Sequence, residues 1–374
     1  MVKNKLCMVY NAAPHYRMAI FQAIDAAWDC EWYFGHLKND IKEMDTSLLS
    51  KVHFYKNYRL WRHFYWQRGI LCLLFRQDYQ TFFMLAESRC ITAYMFIFFA
   101  HYFFPKKKVQ LWTHGYYGKE TSIETRVKLW MFRHVDGIFV YGHHAKRLLV
   151  ERGIHEDKLY VIHNSLDYDR QLSLRQQIQH SGIYREHFRN DLPVLIFIGR
   201  IIEVKRLDLL IEAVAKLRNR GENYNVALVG DGEMRNYLKK LVESRGLTER
   251  VWFYGACYDE QQNAELIYNA DLCVAPGNVG LTAMHTMVYG CPVITHNDFK
   301  WQMPEFEAIH PGMTGDFFER GSVDSLAESI SHWQQIHAGK REFVRQACYH
   351  EIDTQWTPQF QMGVIKNHLK FVGQ

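Results

Sequence analysis

Several short stretches of this chain carry residue types suited to a phosphorylated ligand. In VLIFIGRIIEVK, residues 194–205, an apolar run ends in Gly199 and Arg200, and Lys205 follows five residues later. Such a run reads as a strand buried on both faces. Gly199 permits a tight exit, Arg200 offers a planar fork of donors, and Lys205 adds a compact point charge. The pair suits the two phosphates of a nucleoside diphosphate. Gly-Arg after a strand is also a common turn with a solvated charge. In PGNVGLTAMHTMVYG, residues 276–290, a glycine-bearing loop enters a predicted helix near Gly280. Free N–H groups and a positive helix end there would face phosphate. His285 lies one turn into that helix, where packing or capping is the plainer role.

His114, in WTHG after the run VQLW, is placed to bond a sugar hydroxyl or take a proton, but the chain has 20 histidines and most must be structural. Arg17, in PHYR after the first apolar run, is placed to meet an acceptor or phosphate anion, or to be a solvated first-turn residue. Gly230-Asp231-Gly232-Glu233 reads as a tight turn that needs glycine.

The elements that must position these residues alternate between β-rich runs and helical patterns, which predicts an α/β protein with parallel sheets. Strands are expected at 6–10, 31–34, 82–85, 109–112, 138–141 and 160–162, then at 194–198, 225–229, 251–254, 272–275 and 292–295. In doubly wound sheets ligands sit beyond the carboxyl ends of the strands, where the residues above fall. The polar stretch 168–192 marks a boundary. We expect a first domain over 1–170, a second over 171–353 and a closing helix within 354–374, whose docking partner is not legible. A length of 374 residues agrees with two cores.

Composition narrows the setting. A hydrophobic fraction of 48% and a charged fraction of 23% exclude a largely disordered chain. The eight cysteines form no Cys-x-x-Cys pair, which favours a reducing compartment, and the N-terminus lacks a signal-peptide pattern. The net charge of +5 divides unevenly: Lys and Arg exceed Asp and Glu by 9 over residues 1–180 and fall short by 4 over 181–374. The first half is therefore expected to meet something anionic. No nucleic-acid signature appears. A membrane surface is the better partner, because YRLWRHFYWQR (58–68) interleaves Arg with aromatic residues and ITAYMFIFFAHYFF (91–104) runs into Lys106, Lys107 and Lys108. The latter run is shorter than the ~20 residues that span a bilayer. It reads as a core helix, as an interfacial one, or as both on different faces.

Taken in order, GRIIEVKRLDLLIEAV, VALVGDGEMRNYL, VWFYGA, NADLCVAPG, GLTAMHTMVYGCPVI and EAIHPGMTGDFF, with WTHG and YVIHNSLD before them, resemble glycosyltransferase family 4 over about 150 residues of the second half. The resemblance implies a GT-B fold of two tandem Rossmann-like, doubly wound domains facing a central cleft, and retaining transfer from a nucleotide sugar. It places Arg200 and Lys205 on the donor diphosphate, His114 on the donor sugar, and Glu307 on the Glu of the late Pro-Glu segment. Gly199, Asn278, Gly280 and His285 fall at donor-binding positions. Two departures stand out. His285 occupies the place of a ribose-binding glutamate, and the loop 276–280 is about three residues short, leaving Asn278 as the polar residue nearest the missing first glutamate.

The implied reaction moves a sugar to a hydroxyl of a saccharide acceptor, lipid-linked and used in cell-surface polysaccharide synthesis at the inner face of the cytoplasmic membrane. The protein would be cytoplasmic or peripheral on that face. No Asp-x-Asp motif stands at a strand end, so neither metal nor other cofactor is expected. The alternatives are a non-catalytic GT-B protein that binds nucleotide or glycan, and a nucleotide-sugar epimerase on a similar fold.

Overall fold

The computed structural model describes residues 4–35, 43–60 and 64–372. The chain forms two compact units, one of residues 1–167 with 357–374 and the other of residues 168–356. Each is a Rossmann-like α/β layer structure.

In the first unit, β1 (Lys5–Tyr10), β2 (Asp29–Phe34) and β3 (Val52–Phe54) are followed by a small antiparallel hairpin of β4 (Asn57–Arg59) and β5 (Tyr65–Gln67). Then come β6 (Thr81–Leu85), β7 (Lys108–Thr113), β8 (Gly137–Val140) and β9 (Leu159–Val161). The main sheet is parallel, in the order β3-β2-β1-β6-β7-β8-β9. Its side chains alternate between two cores. Cys7, Val9, Phe82, Leu111 and Ile138 enter the core shared with Phe96, Ile97 and Leu129. Leu6, Met8, Phe83, Trp112 and Phe139 enter the core shared with Ile20, Phe21 and Ile24. This two-residue period, apolar in both phases, is what a strand covered on both faces requires.

The second unit contains β10 (Val194–Ile198), β11 (Asn225–Val229), β12 (Val251–Gly255), β13 (Leu272–Ala275), β14 (Val293–His296) and β15 (Gly315–Phe318), ordered β12-β11-β10-β13-β14-β15 and parallel throughout. Both sheets run outward from their first strand in opposite directions. The second therefore has its topological switch point between β10 and β13, where a crevice opens beyond the strand ends.

All eleven strands expected from the sequence form, each within two residues at either end. The others that form had too little pattern: β3, β4 and β5 are three residues long, and β15 is a four-residue edge strand opened by glycine. Of the aromatic-basic run 58–68, Tyr58, Leu60 and Phe64 are exposed, while Trp61, Arg62 and His63 lie outside the described residues. The polar stretch 168–192 forms the helices Tyr168–Gln177 and Ile183–Phe188 of the second unit. No helix among the described residues is long and apolar enough to cross a membrane.

The closing helix, Pro358–His368, returns to the first unit, where Met362, Ile365, Leu369 and Phe371 join the core around Ile20 and Phe21. Gln361 fixes its start, donating from Nε2 to the His163 carbonyl oxygen at 2.9 Å and pairing through Oε1 with Ser165 Oγ at 2.5 Å. Residues distant in sequence thus complete one core. Ile365 is fully buried, so Ile365→Ala is expected to cost about 3 kcal/mol by leaving a cavity. In a denaturant titration the first unit's midpoint should fall with unchanged slope.

Candidate active site

Beyond β10 the backbone turns at Gly199, whose φ is +144°. The residues after β11 brace this turn. Gly199 N–H donates to the Val229 carbonyl and Ile201 N–H to the Asp231 carbonyl, both at 2.9 Å. A Cβ on Gly230 would strike the Gly199 carbonyl oxygen. Gly230-Asp231-Gly232 is thus a turn that supports the neighbouring loop through backbone contact.

Beyond β13, Gly277 N–H donates to the Lys205 carbonyl at 3.0 Å, and a Cβ on Gly277 would meet the Val204 carbonyl oxygen. The two loops at the switch point therefore touch backbone to backbone. Gln302 secures the second loop: its Oε1 accepts from Val279 N–H at 2.9 Å while its Nε2 donates to Thr295 Oγ1 at 2.8 Å and the His296 carbonyl at 2.9 Å. Thr282 closes the assembly, donating from Oγ1 to the Ile198 carbonyl at 2.9 Å.

This frame brings Lys205, Asn278 and Gly280 together. Lys205 Nζ donates to the Asn278 carbonyl at 2.7 Å and to its Oδ1 at 2.8 Å. A third ammonium donor remains. Burial pulls the Lys205 pKa down and neighbouring Arg200 adds repulsion, while Glu305 opposes both, leaving about 8. Arg200 is exposed and forms no ion pair among the described residues. Two cations thus share one place, one of them stripped of water. An anion with several oxygens would satisfy both.

Glu305 was not singled out from the sequence. It and Glu307 share the segment PEFE, and only the turn Pro304–Ala308 distinguishes them: Glu305 is 1% exposed and acts on Lys205, whereas Glu307 is half-buried. The helix after the loop is short, Thr282–Met287, which limits the dipole it brings to Gly280. His285 is engaged elsewhere. Its Nε2 meets Glu260 Oε1 at 3.0 Å, an oxygen that also accepts from Tyr289 at 2.8 Å and Gln171 at 2.9 Å. Burial raises the Glu260 pKa, but these partners outweigh it and hold the carboxyl at about 2. An ionised carboxylate only accepts, so His285 carries its proton on Nε2.

In the first unit His114 follows β7, with its ring centroid 4.6 Å from that of Tyr141. Burial lowers its pKa to about 3, with further repulsion from Arg17 and Lys128, so the imidazole is neutral near pH 7. Arg17 is 5% exposed, donates to Tyr141 and lies 4.9 Å from the Trp112 ring. It is therefore a buried cation among aromatic rings rather than a solvated first-turn residue. Among the described residues no three His, Cys, Asp or Glu side chains gather as a metal-ligand set.

Residues 183–347 match the sequence profile of glycosyl transferases group 1. An uncharacterized glycosyltransferase of Methanocaldococcus jannaschii is 30% identical over 147 residues, 37% of this chain and 36% of that protein. Alpha-D-kanosaminyltransferase of Streptomyces kanamyceticus is 32% identical over 111 residues, 29% of this chain and 28% of that protein. The chain thus spans about a third of the length of these curated relatives. Among solved structures, Anabaena HepE in complex with UDP aligns with a TM-score of 0.71 at 15% identity, over 97% of this chain and 99% of that one. Identity that low speaks for the fold alone, which is that of the GT-B glycosyltransferases. In sequence, then, residues 183–347 are similar to the glycosyl transferases group 1.

Proposed function

We propose that this protein transfers a sugar from a nucleoside diphosphate donor to a hydroxyl of a saccharide acceptor, with retention at the anomeric carbon. The acceptor is read as lipid-linked, in cell-surface polysaccharide synthesis at the inner face of the cytoplasmic membrane. The observation that carries this reading is the pair of cations at the switch point, Arg200 without an acidic partner among the described residues and Lys205 desolvated beside it.

In the reaction the bond from the anomeric carbon to the diphosphate oxygen breaks and its electron pair leaves with the diphosphate. The acceptor oxygen bonds to the anomeric carbon and its proton passes to the released diphosphate. Arg200 and Lys205 stabilise the charge that develops on the leaving group, preorganised in a place already short of water. Gly199 and Gly280 keep the backbone open to the phosphates, and Asn278 aims Lys205. We read the bonded pair of His285 and Glu260 as the ribose contact, with the carboxylate carried on the neighbouring helix Glu260–Asn269. Glu307 is assigned to the donor side by resemblance. In the first unit, neutral His114 serves as a hydrogen-bonding partner for a sugar hydroxyl. With two cations at the diphosphate, no metal is expected, and activity should persist when EDTA is added.

Loss of Lys205 tests the site. A nucleotide or nucleotide sugar at 100 times its dissociation constant should stabilise the protein by about 2.7 kcal/mol. In Lys205→Ala that thermal shift should vanish and turnover should fall by about 100-fold or more, with the circular dichroism of the folded protein retained. A shift without turnover on any donor and acceptor would favour the alternative, a non-catalytic nucleotide- or glycan-binding protein, for which the replaced glutamate at position 285 speaks.

The pH dependence has a defined sign. A bound diphosphate favours protonated Lys205, whose pKa in the free protein is about 8. Donor affinity should therefore be level below that pH and fall by up to about tenfold per unit above it. His114, already neutral, should add no inflection near pH 6.5. Titration calorimetry across pH 6 to 10 reads both, and an affinity that rises above pH 8 would overturn the assignment of Lys205.

A further inference from the structure

The helix Ile91–Phe103, ITAYMFIFFAHYF, is apolar on nearly every face. A helix of that kind is ordinarily enclosed on all sides. Here Thr92, Ala93, Phe96, Ile97 and Ala100 go inward, yet Phe98, Tyr102 and Phe103 are 42%, 54% and 64% exposed. The adjoining helix, Ser122–Arg133, repeats the pattern. Leu129, Met131 and Phe132 are buried, while Ile123 and Val127 are 75% and 44% exposed.

Helical spacing places Met95, Phe98 and Tyr102 in one outward row and Ile123, Val127 and Trp130 in the other. Between the rows lies a groove of about 540 Å³, where Tyr94, Met95, Phe98, Val127 and Trp130 supply apolar walls and Arg126 the charge. The rings form a continuous surface: the Phe98 centroid lies 5.0 Å from that of Tyr102 and 6.3 Å from that of Trp130.

The surrounding charge has one sign. Residues 91–134 contain seven Lys or Arg and two Glu. Both glutamates are committed: Glu120 pairs with Lys128 at 2.7 Å and accepts from Tyr117 and Gly118 N–H, and Glu124 closes a capping box with Thr121. Arg126 and Lys106 are exposed and form no ion pair among the described residues.

We propose that this face docks on an anionic bilayer, with the two outward rows entering the boundary between headgroups and acyl chains, hydrocarbon in the groove and lipid phosphates at Arg126 and Lys106. The chemistry is matched in each layer. Phe, Met and Val supply apolar bodies, Tyr and Trp are the residues that settle at the interface, and the cations lie where phosphate density is highest. At 13 residues the helix Ile91–Phe103 is about 20 Å long, too short to span, and so lies in the membrane plane. This gives the lipid-linked acceptor of the proposed function a place on the molecule, and rests on it only for its purpose.

Sedimentation with vesicles of phosphatidylcholine, alone or mixed with phosphatidylglycerol, tests the docking. The full chain should bind the mixed vesicles at least about tenfold more tightly, and raised salt should weaken that binding. Arg126→Gln should cost about fivefold, as expected for one cation at an anionic surface, and Phe98→Ser with Val127→Ser about tenfold or more. Ile123→Ser, at the most exposed position, serves as a second variant, and thermal melting checks that each is folded. Absence of vesicle binding by the wild type, or binding unchanged in all the variants, would overturn the proposal. Dimerisation of the wild type that the same variants abolish, without vesicle binding, would overturn it in favour of a second copy of the chain. The nucleotide-induced thermal shift, measured on the same variants, should persist, so failure of docking and failure of the donor site are read separately.

Discussion

A cation held out of water must be met by an anion or lose its proton, and Lys205 sits between these outcomes. Its ammonium is tethered by Asn278, opposed by Arg200 and supported by Glu305. The second unit is arranged around keeping it there. The turn at Gly199 allows the chain to leave β10 at the switch point, Gly230 and Gly232 let the next turn press against it, and Gly277 brings the loop after β13 onto the backbone of Val204 and Lys205. Adding a Cβ at Gly230 or Gly277 would force the loops apart. The glycines thus act through backbone approach, and what they position is the charge of Lys205.

Position 285 illustrates how a partner is found across the fold. Glu260, from the start of a neighbouring helix, is held ionised by bonds to a single oxygen from His285, Tyr289 and Gln171. The two positions are 25 residues apart in sequence, and nothing in local pattern connects them. The first unit shows the opposite economy. Arg17 is buried with no carboxylate against it among the described residues, its charge met instead by aromatic faces and Tyr141, and its field helps to keep His114 neutral.

The two helices at the surface of the first unit separate burial from hydrophobicity. The run 91–104 reads as a core helix, an interfacial one or both on different faces, and one face of Ile91–Phe103 is core. The other face is equally apolar and lies open, because the sheet beneath can cover a helix from one side only. An apolar surface rimmed by cations whose acidic neighbours are already paired has a preferred environment, and that preference is a property of the whole face rather than of any residue in it.

Much was legible from the sequence for a physical reason: strands covered on both faces must be apolar in both phases, and such runs as 194–198 and 272–275 announce themselves without context. The doubly wound class followed from those runs, and the glycines after them marked the loops that carry Arg200 and Lys205. What only the tertiary structure decided were relations between distant side chains. It chose Glu305 over Glu307 as the carboxylate beside Lys205, since a single turn of backbone sets which of two neighbours points inward. It paired His285 with Glu260, buried Arg17, and returned the closing helix to the first unit. Sequence patterns record which residues must leave water. Which partner each one finds there depends on how the chain folds back on itself, and that information is not local.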